Sequence, residues 1–250
     1  LAIAANTAMF SVLNAVVLKP LRYEESGRLV RVYHASPGDN SGYLTGLTAV
    51  AYPDRSQTLD IAIAYTYSVQ GADLPDAAEP ERVTILPVGA DYFSVLGAHP
   101  VLGQPFSRAD ERPNVRLAVV RERIWRKYLD ASRDAVGRPL TLDGMPYVVV
   151  AVLPDNFSDP LDADVDVWVP LNLQPGGPNS FDNYYLTLIA RLKPGATIER
   201  AHAELSDLAA TMQTERAPSA TRWSARVVPL QIDKIGNARS LLWILLGAVG

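Results

Sequence analysis

Cysteine is absent from all 250 residues, which excludes a disulfide framework, a thiol nucleophile and a Cys-ligated zinc site and leaves the redox compartment open. Histidine is scarce. His34, His99 and His202 are the only three, and none has a second ligating residue at helical or hairpin spacing. Charge is modest as well: 20% of residues are charged and the formal net charge is −4, so no basic surface for a nucleic-acid backbone is encoded. The chain also lacks a G-x-S-x-G nucleophile elbow and a phosphate-cradling glycine loop; the glycines of "PGG" and "LDG" read as turns.

The acidic residues add no chemistry of their own. In "DPLDADVDVW", Asp162, Asp164 and Asp166 follow Asp159 and imitate the opening of a calcium-binding loop. Val167 stands where that loop needs glycine, and Leu173 where it needs a bidentate glutamate, so calcium is not expected. Read as a strand, the stretch places the three acids on one solvated face and Val165, Val167 and Val169 inward. The pairs Asp54/Asp60 and Glu199/Asp207 read as solvated charge. Phe181, Tyr184 and Tyr185 read as strand-edge packing, with a binding surface as the alternative. No catalytic, cofactor-binding or metal-ligating residue is assigned, and no enzyme is expected.

What the chain does have is two apolar ends. "LAIAANTAMFSVLNAVVL" (Leu1–Leu18) carries no charge and meets the length of a membrane-span candidate. A buried helix with Ile3, Phe10, Leu13, Val17 and Leu21 near one face is the other reading of this run alone. "LLWILLGAVG" (Leu241–Gly250) has no cap, no polar face and no stop signal. It reads as the first half of a second span, and together the two runs imply a loop domain whose ends return to one bilayer face. Lys19, Arg22, Arg28 and Arg31 follow the first run, but Glu24 and Glu25 lie among them, and large domains cross membranes largely regardless of charge.

Between the ends, strands are predicted at 28–35, 61–70, 81–88, 115–120, 164–171, 184–192 and 223–232 from β-branched and alternating patterns. Gly71–Pro80 reads as a polar turn region. Weakly helical character covers 48–58, with Pro53 breaking it near its first turn, and a short helix at 90–96 closes on Gly97. "RERIWRKYL" is helical with one apolar face. Asp143-Gly144, between β-prone runs at 138–154, predicts a type I′ hairpin. Thr197 caps a helix whose buried stripe is Ile198, Ala201, Leu205, Leu208 and Met212. Strands and helices mix without regular alternation, so the fold class is α+β.

Five ordered segments carry a family likeness. "ANTAMFSVLNAVVLKPLRY" (5–23), "VGADYFSVLGAHPVLGQPFSRAD" (88–110), "VGRPLTLDGMPYVVVAVLPDNF" (136–157), "DVWVPL" (166–171) and "RLKPGATIERAHAEL" (191–205) resemble FtsX-like permeases with a MacB-like periplasmic core domain. Gln104 departs from the arginine usual after that glycine. The resemblance implies a non-catalytic permease subunit of an ABC transporter in a bacterial inner membrane, its folded domain periplasmic. It further implies two lobes flanked by truncated transmembrane helices. These are the end of a first transmembrane helix at 1–21, a Porter-like lobe from 22–89 and 182–232, an inserted Sabre-like lobe at 90–181, and the start of a second transmembrane helix at 233–250. Implied partners are a cytoplasmic ABC ATPase, a second permease copy, a periplasmic adaptor and the membrane. The implied role couples ATPase-driven helix motion to export or extraction of a substrate. A membrane-tethered ligand-sensing module is the alternative.

Overall fold

The structure, a computed structural model, describes residues 21–36, 42–75, 81–160, 163–173, 183–216 and 223–234. The two expected spans, 1–21 and 233–250, lie almost wholly outside the described residues. Among the described residues no helix is long and apolar enough to cross a membrane.

Among the described residues, twelve strands form one mixed sheet. They are β1 (Leu29–Ala35), β2 (Leu44–Thr45), β3 (Leu59–Thr66), β4 (Gln70–Leu74), β5 (Glu81–Val88), β6 (Leu102–Gly103), β7 (Leu117–Arg121), β8 (Pro139–Leu142), β9 (Met145–Leu153), β10 (Val167–Pro170), β11 (Tyr184–Leu192) and β12 (Ser224–Pro229). The spatial order is β12-β1-β11-β3-β5-β10-β7-β9-β6, with β2, β4 and β8 paired to the side on β11, β5 and β9. Among the described residues, the α-helices whose bounds are fully defined are α1 (Gly46–Arg55), α2 (Tyr92–Val95), α3 (Glu122–Tyr128) and α4 (Ile198–Arg216). The domain is a sheet-dominated mixture of α and β structure.

Two halves of the sheet meet at a narrow seam. β3 and β5 share a single register pair, Tyr65↔Val88, whereas β11 follows β3 from Leu186↔Thr66 to Leu192↔Leu59. On the other side of the seam β10 runs parallel to β5 through four pairs, from Val167↔Ile85 to Pro170↔Val88. One core lies between α1, α4 and the β1-β3-β11-β12 half, with Leu186, Leu188, Leu205 and Val227 inside it. A second, around Ala118, Ile124, Leu140, Val149 and Val167, fills the opposite half. A third spans the seam and is rich in aromatics: Tyr65, Tyr92, Phe93, Phe106 and Trp168.

Local signals explain most elements. Asp143 (φ 48°) and Gly144 (φ 74°) adopt the left-handed pair that a type I′ turn needs, joining β8 to β9. The Thr197 hydroxyl accepts from the Arg200 N–H at 3.2 Å and caps α4, whose Ala201, Leu205, Ala209 and Met212 are buried. Gly97 sits at φ 62° just beyond α2. Thr45 caps α1 through the Thr48 N–H at 3.2 Å. Pro53 lies in the last turn of α1 rather than near its start.

Besides the position of Pro53, and the strand expected over 223–232, which ends at Pro229 before helical residues from Leu230, two expectations are corrected. The strand expected over 61–70 ends at Thr66, and β4 occupies part of the stretch expected to be a polar turn. β4 is polar in composition but alternates, with Ala72 and Leu74 buried and Gln70, Gly71 and Asp73 exposed. It pairs with β5 from Gln70↔Ile85 to Leu74↔Glu81. The second correction concerns Asp166, which is not on a solvated face. β10 is an inner strand buried on both faces, and the Asp166 carboxylate accepts from the Thr84 N–H (2.8 Å) and Arg123 Nε (2.6 Å). Asp164 is exposed, and Asp162 lies outside the described residues.

Glu204 fastens α4 to the turn before β3. Its carboxylate accepts from Ser56 Oγ at 2.9 Å, from the Thr58 N–H at 3.1 Å, and from the Thr58 hydroxyl and the Gln57 N–H. Burial alone would push Glu204 upward, but these donors outweigh it and hold the carboxyl below the ordinary glutamate range. Its stabilisation is therefore complete above the unfolded carboxylate value and fades as pH falls through the lower folded value. Glu204→Ala is expected to cost about 1–2 kcal/mol at neutral pH. Urea titrations of both proteins at pH 7 and pH 3 check this, since the gap between them should narrow in acid.

Candidate functional site

A groove of about 320 Å³ opens along the seam between the two halves. Its first wall is α1 and β3, contributing Ala49, Val50, Pro53, Asp54 and Ile63; the facing wall is built from Gly89–Asp91, Arg108, Glu111–Pro113 and Leu171–Leu173. Its lining mixes apolar side chains with the charged Asp54, Asp91, Arg108, Glu111 and Arg112, a composition that suits a ligand site. Segment 107–110 is held in shape by a capping box, with Asp110 Oδ2 accepting from the Ser107 N–H (2.8 Å) and hydroxyl (2.9 Å). Arg108 pairs with Asp91 at 2.5 Å. The Glu111 carboxylate accepts from the Ala90 N–H at 2.7 Å. Loss of solvent raises its pKa, and the Ala90 bond only partly offsets that. Asn172 takes a left-handed conformation (φ 47°) and donates from Nδ2 to the Val115 carbonyl at 3.2 Å. Its Oδ1 is buried without a partner among the described residues.

A second feature lies where the first and last described strands pair. β1 and β12 pair antiparallel, from Val30↔Pro229 to Ala35↔Ser224. The first residues of β1 and the last of β12 therefore stand side by side at one end of the sheet. The Asp233 carboxylate, four residues past β12, bonds Arg31 Nη1 at 3.0 Å and accepts from the Tyr33 hydroxyl.

His34 is 3% exposed and packs between Tyr184 and Trp223, with ring centroids 5.0 and 5.6 Å away. His99 and His202 are exposed. No group of three or more His, Asp and Glu able to hold a metal occurs among the described residues. Asp159 is buried and accepts from the Tyr92 hydroxyl. Asp54 lines the groove, whereas Asp60 lies 3.6 Å from Arg28; the two are not brought into one site. Glu199 sits in the first turn of α4, and Asp207 is exposed. Tyr184 is 42% exposed, and burial raises the Tyr185 phenol to about 12. Phe181 lies outside the described residues. Sequence reasoning missed Asp91, Arg108, Glu111 and Asn172, and it missed the pairing of Arg31 and Tyr33 with Asp233. The Ser107-x-x-Asp110 spacing was the one local signal that marked part of the groove.

The comparisons with known proteins agree with one another. The model of the MacB-like periplasmic core domain matches residues 1–208. A macrolide export ATP-binding/permease protein MacB from Burkholderia cenocepacia (strain HI2424) is 27% identical over 164 residues, which are 65% of this chain and 24% of that protein. The chain spans about a quarter of the length of the curated relatives it matches. Among solved structures, the periplasmic region of MacB from Actinobacillus actinomycetemcomitans superposes with a TM-score of 0.61 at 12% identity, covering 86% of this chain and 94% of that one. The extracellular domain of the noncanonic ABC-type transporter YknZ from Gram-positive bacteria superposes with a TM-score of 0.56 at 14% identity, covering 79% and 98%. At such identities these likenesses establish the fold.

Proposed function

The chain belongs to the MacB-like periplasmic core domain family, and from that membership we propose that it is the extracytoplasmic domain of an ABC transporter permease subunit in a bacterial inner membrane. The domain transmits movement of its flanking membrane helices, driven by a cytoplasmic ABC ATPase, to the export or extraction of a substrate. A second permease copy and a periplasmic adaptor are the further partners of this reading. The observation that carries it is the side-by-side position of the β1 start and the β12 end. A domain whose entry and exit strands are hydrogen-bonded neighbours receives any displacement of the adjoining segments directly in its sheet.

In this reading β1–β3, β11, β12, α1 and α4 form the Porter-like lobe, and the Sabre-like lobe is the part inserted between them. We place β4 and β5 with the inserted part, because they pack with β10 and the core around Ala118 and Val167. The seam groove is then the place where relative movement of the lobes would be felt.

The groove also favours a second reading, a ligand-sensing module, because apolar lining residues, the raised Glu111 and the unpartnered Asn172 oxygen occur together there. One experiment separates the two. Spin labels at His202→Cys and Val101→Cys, one in each half, are followed in the full-length subunit assembled with its ATPase in nanodiscs. This cysteine-free domain adds no competing thiol. The mechanical reading expects the inter-label distance distribution to shift on trapping with ATP and vanadate. A distribution that ignores nucleotide overturns that reading. A shift that instead needs an added small molecule and disappears in Asn172→Ala favours sensing.

A further inference from the structure

Asp233 is exposed to only 12%, as is its partner Arg31, which is unusual for an ion pair at the edge of a sheet. The reason is a stack built across the edge. Tyr33 lies with the Arg226 guanidinium 4.1 Å and the Arg31 guanidinium 4.6 Å from its ring centroid, cation–π distances for both. Arg226 comes from β12 directly opposite Tyr33 in the register. The Tyr33 hydroxyl, beyond the stack, donates to one oxygen of Asp233 while Arg31 bonds the other. Burial and the bond to Asp233 push the Tyr33 phenol up to about 12, so it stays a donor throughout the physiological range.

Residues 230–234 are helical, and Leu230 is fully buried. The start of the segment that leaves the sheet is thus fixed by an apolar anchor at 230 and a charged one at 233. A single hydrogen bond would leave such a segment free to swivel about β12. Two bonds to both carboxylate oxygens, from side chains that are themselves stacked, remove that freedom.

We propose that Arg31, Tyr33 and Asp233 form a clamp that holds the departing segment at a fixed angle to the sheet, and that displacement of the segment past Lys234 enters the domain through this clamp. The three are positioning residues. The inference rests on the mechanical reading above and adds the residues through which the movement passes.

Its test uses the full-length subunit with its ATPase, the same label pair, and amide hydrogen exchange. In Asp233→Ala the amides of 230–234 exchange about tenfold faster or more, while those of β3 and β11 keep their wild-type protection. The nucleotide-dependent distance shift collapses. Tyr33→Phe keeps the stack but loses one bond, so it gives a smaller effect of the same kind and remains available should Asp233→Ala assemble poorly. The exchange Arg31→Asp with Asp233→Arg restores the ion pair in reverse and recovers part of the shift, a rescue that loss of general stability cannot produce. A wild-type shift that persists unchanged in Asp233→Ala and Tyr33→Phe overturns the clamp and leaves the mechanical reading standing. Absence of any shift in the wild type overturns both.

Discussion

Trp168→Ala is expected to cost about 3–5 kcal/mol and to uncouple the two halves of the sheet. The indole is fully buried at the middle of β10, opposite Leu86 on β5 and Val119 on β7. Phe157 and Phe93 meet it edge-on, with centroids 5.6 and 6.4 Å away, and the Arg121 guanidinium lies 5.3 Å from its ring centroid. Arg121 is itself committed, donating to the carbonyls of Val165, Asp155 and Phe157. Deleting the ring leaves a cavity beneath a buried cation, and the 155–165 loop loses the surface against which that cation holds it. Because β3 and β5 share only one register pair, the seam depends on this aromatic core more than on strand pairing. Hydrogen exchange should therefore show β7, β9 and β10 losing protection well before β1 and β11 in Trp168→Ala. A loss spread evenly over both halves, or smaller than about 1 kcal/mol, would contradict the assignment of the seam to Trp168.

How much of this was legible in the sequence follows from the range of the interactions. The β8–β9 hairpin is written in two residues, Asp143 and Gly144, because positive φ at both is a local demand. α4 is legible for a similar reason: its cap and its stripe lie within one continuous segment. β4 was hidden because Gln-Gly-Ala-Asp-Leu has turn composition, and only its partner β5 makes a strand of it. Asp166 looked solvated because alternation cannot reveal its distant partners, Thr84 on β5 and Arg123 on α3. The groove draws on several separate segments, and Arg31 and Asp233 are 202 residues apart. No window along the chain contains either site. The family likeness marked segment 88–110 as a unit, yet it gave no physical reason for the glycine in its middle.

That reason leads to the second large effect, at Gly103. Its φ is 70°, a region costly to any residue with a β-carbon, and a Cβ there would sit 2.1 Å from the Val150 carbonyl oxygen and 3.1 Å from the Ala151 Cα. Both obstacles are backbone of β9, the strand to which β6 is paired through Leu102↔Val152 and Gly103↔Ala151. They can yield only if β6 separates from it. Gly97 provides the internal control, since it has a similar φ of 62° but its Cβ would meet the Glu24 side chain at 3.0 Å, which can rotate away. Gly97→Ala should therefore cost only the backbone penalty of about 1–2 kcal/mol, whereas Gly103→Ala should cost about 3 kcal/mol or more as the clash is added. Urea titration of the two variants side by side measures the difference, and equal costs would mean that the close approach to β9 is not what demands glycine. The consequence reaches the groove, because the chain runs from β6 straight into the segment that bears Arg108 and Glu111. A domain that survives Gly103→Ala should do so with β6 detached, the Arg108–Asp91 pair broken and the groove wall loosened. The damage should appear as rapid exchange at Gln104, whose N–H donates to the Val150 carbonyl at 3.1 Å, before any change in β11.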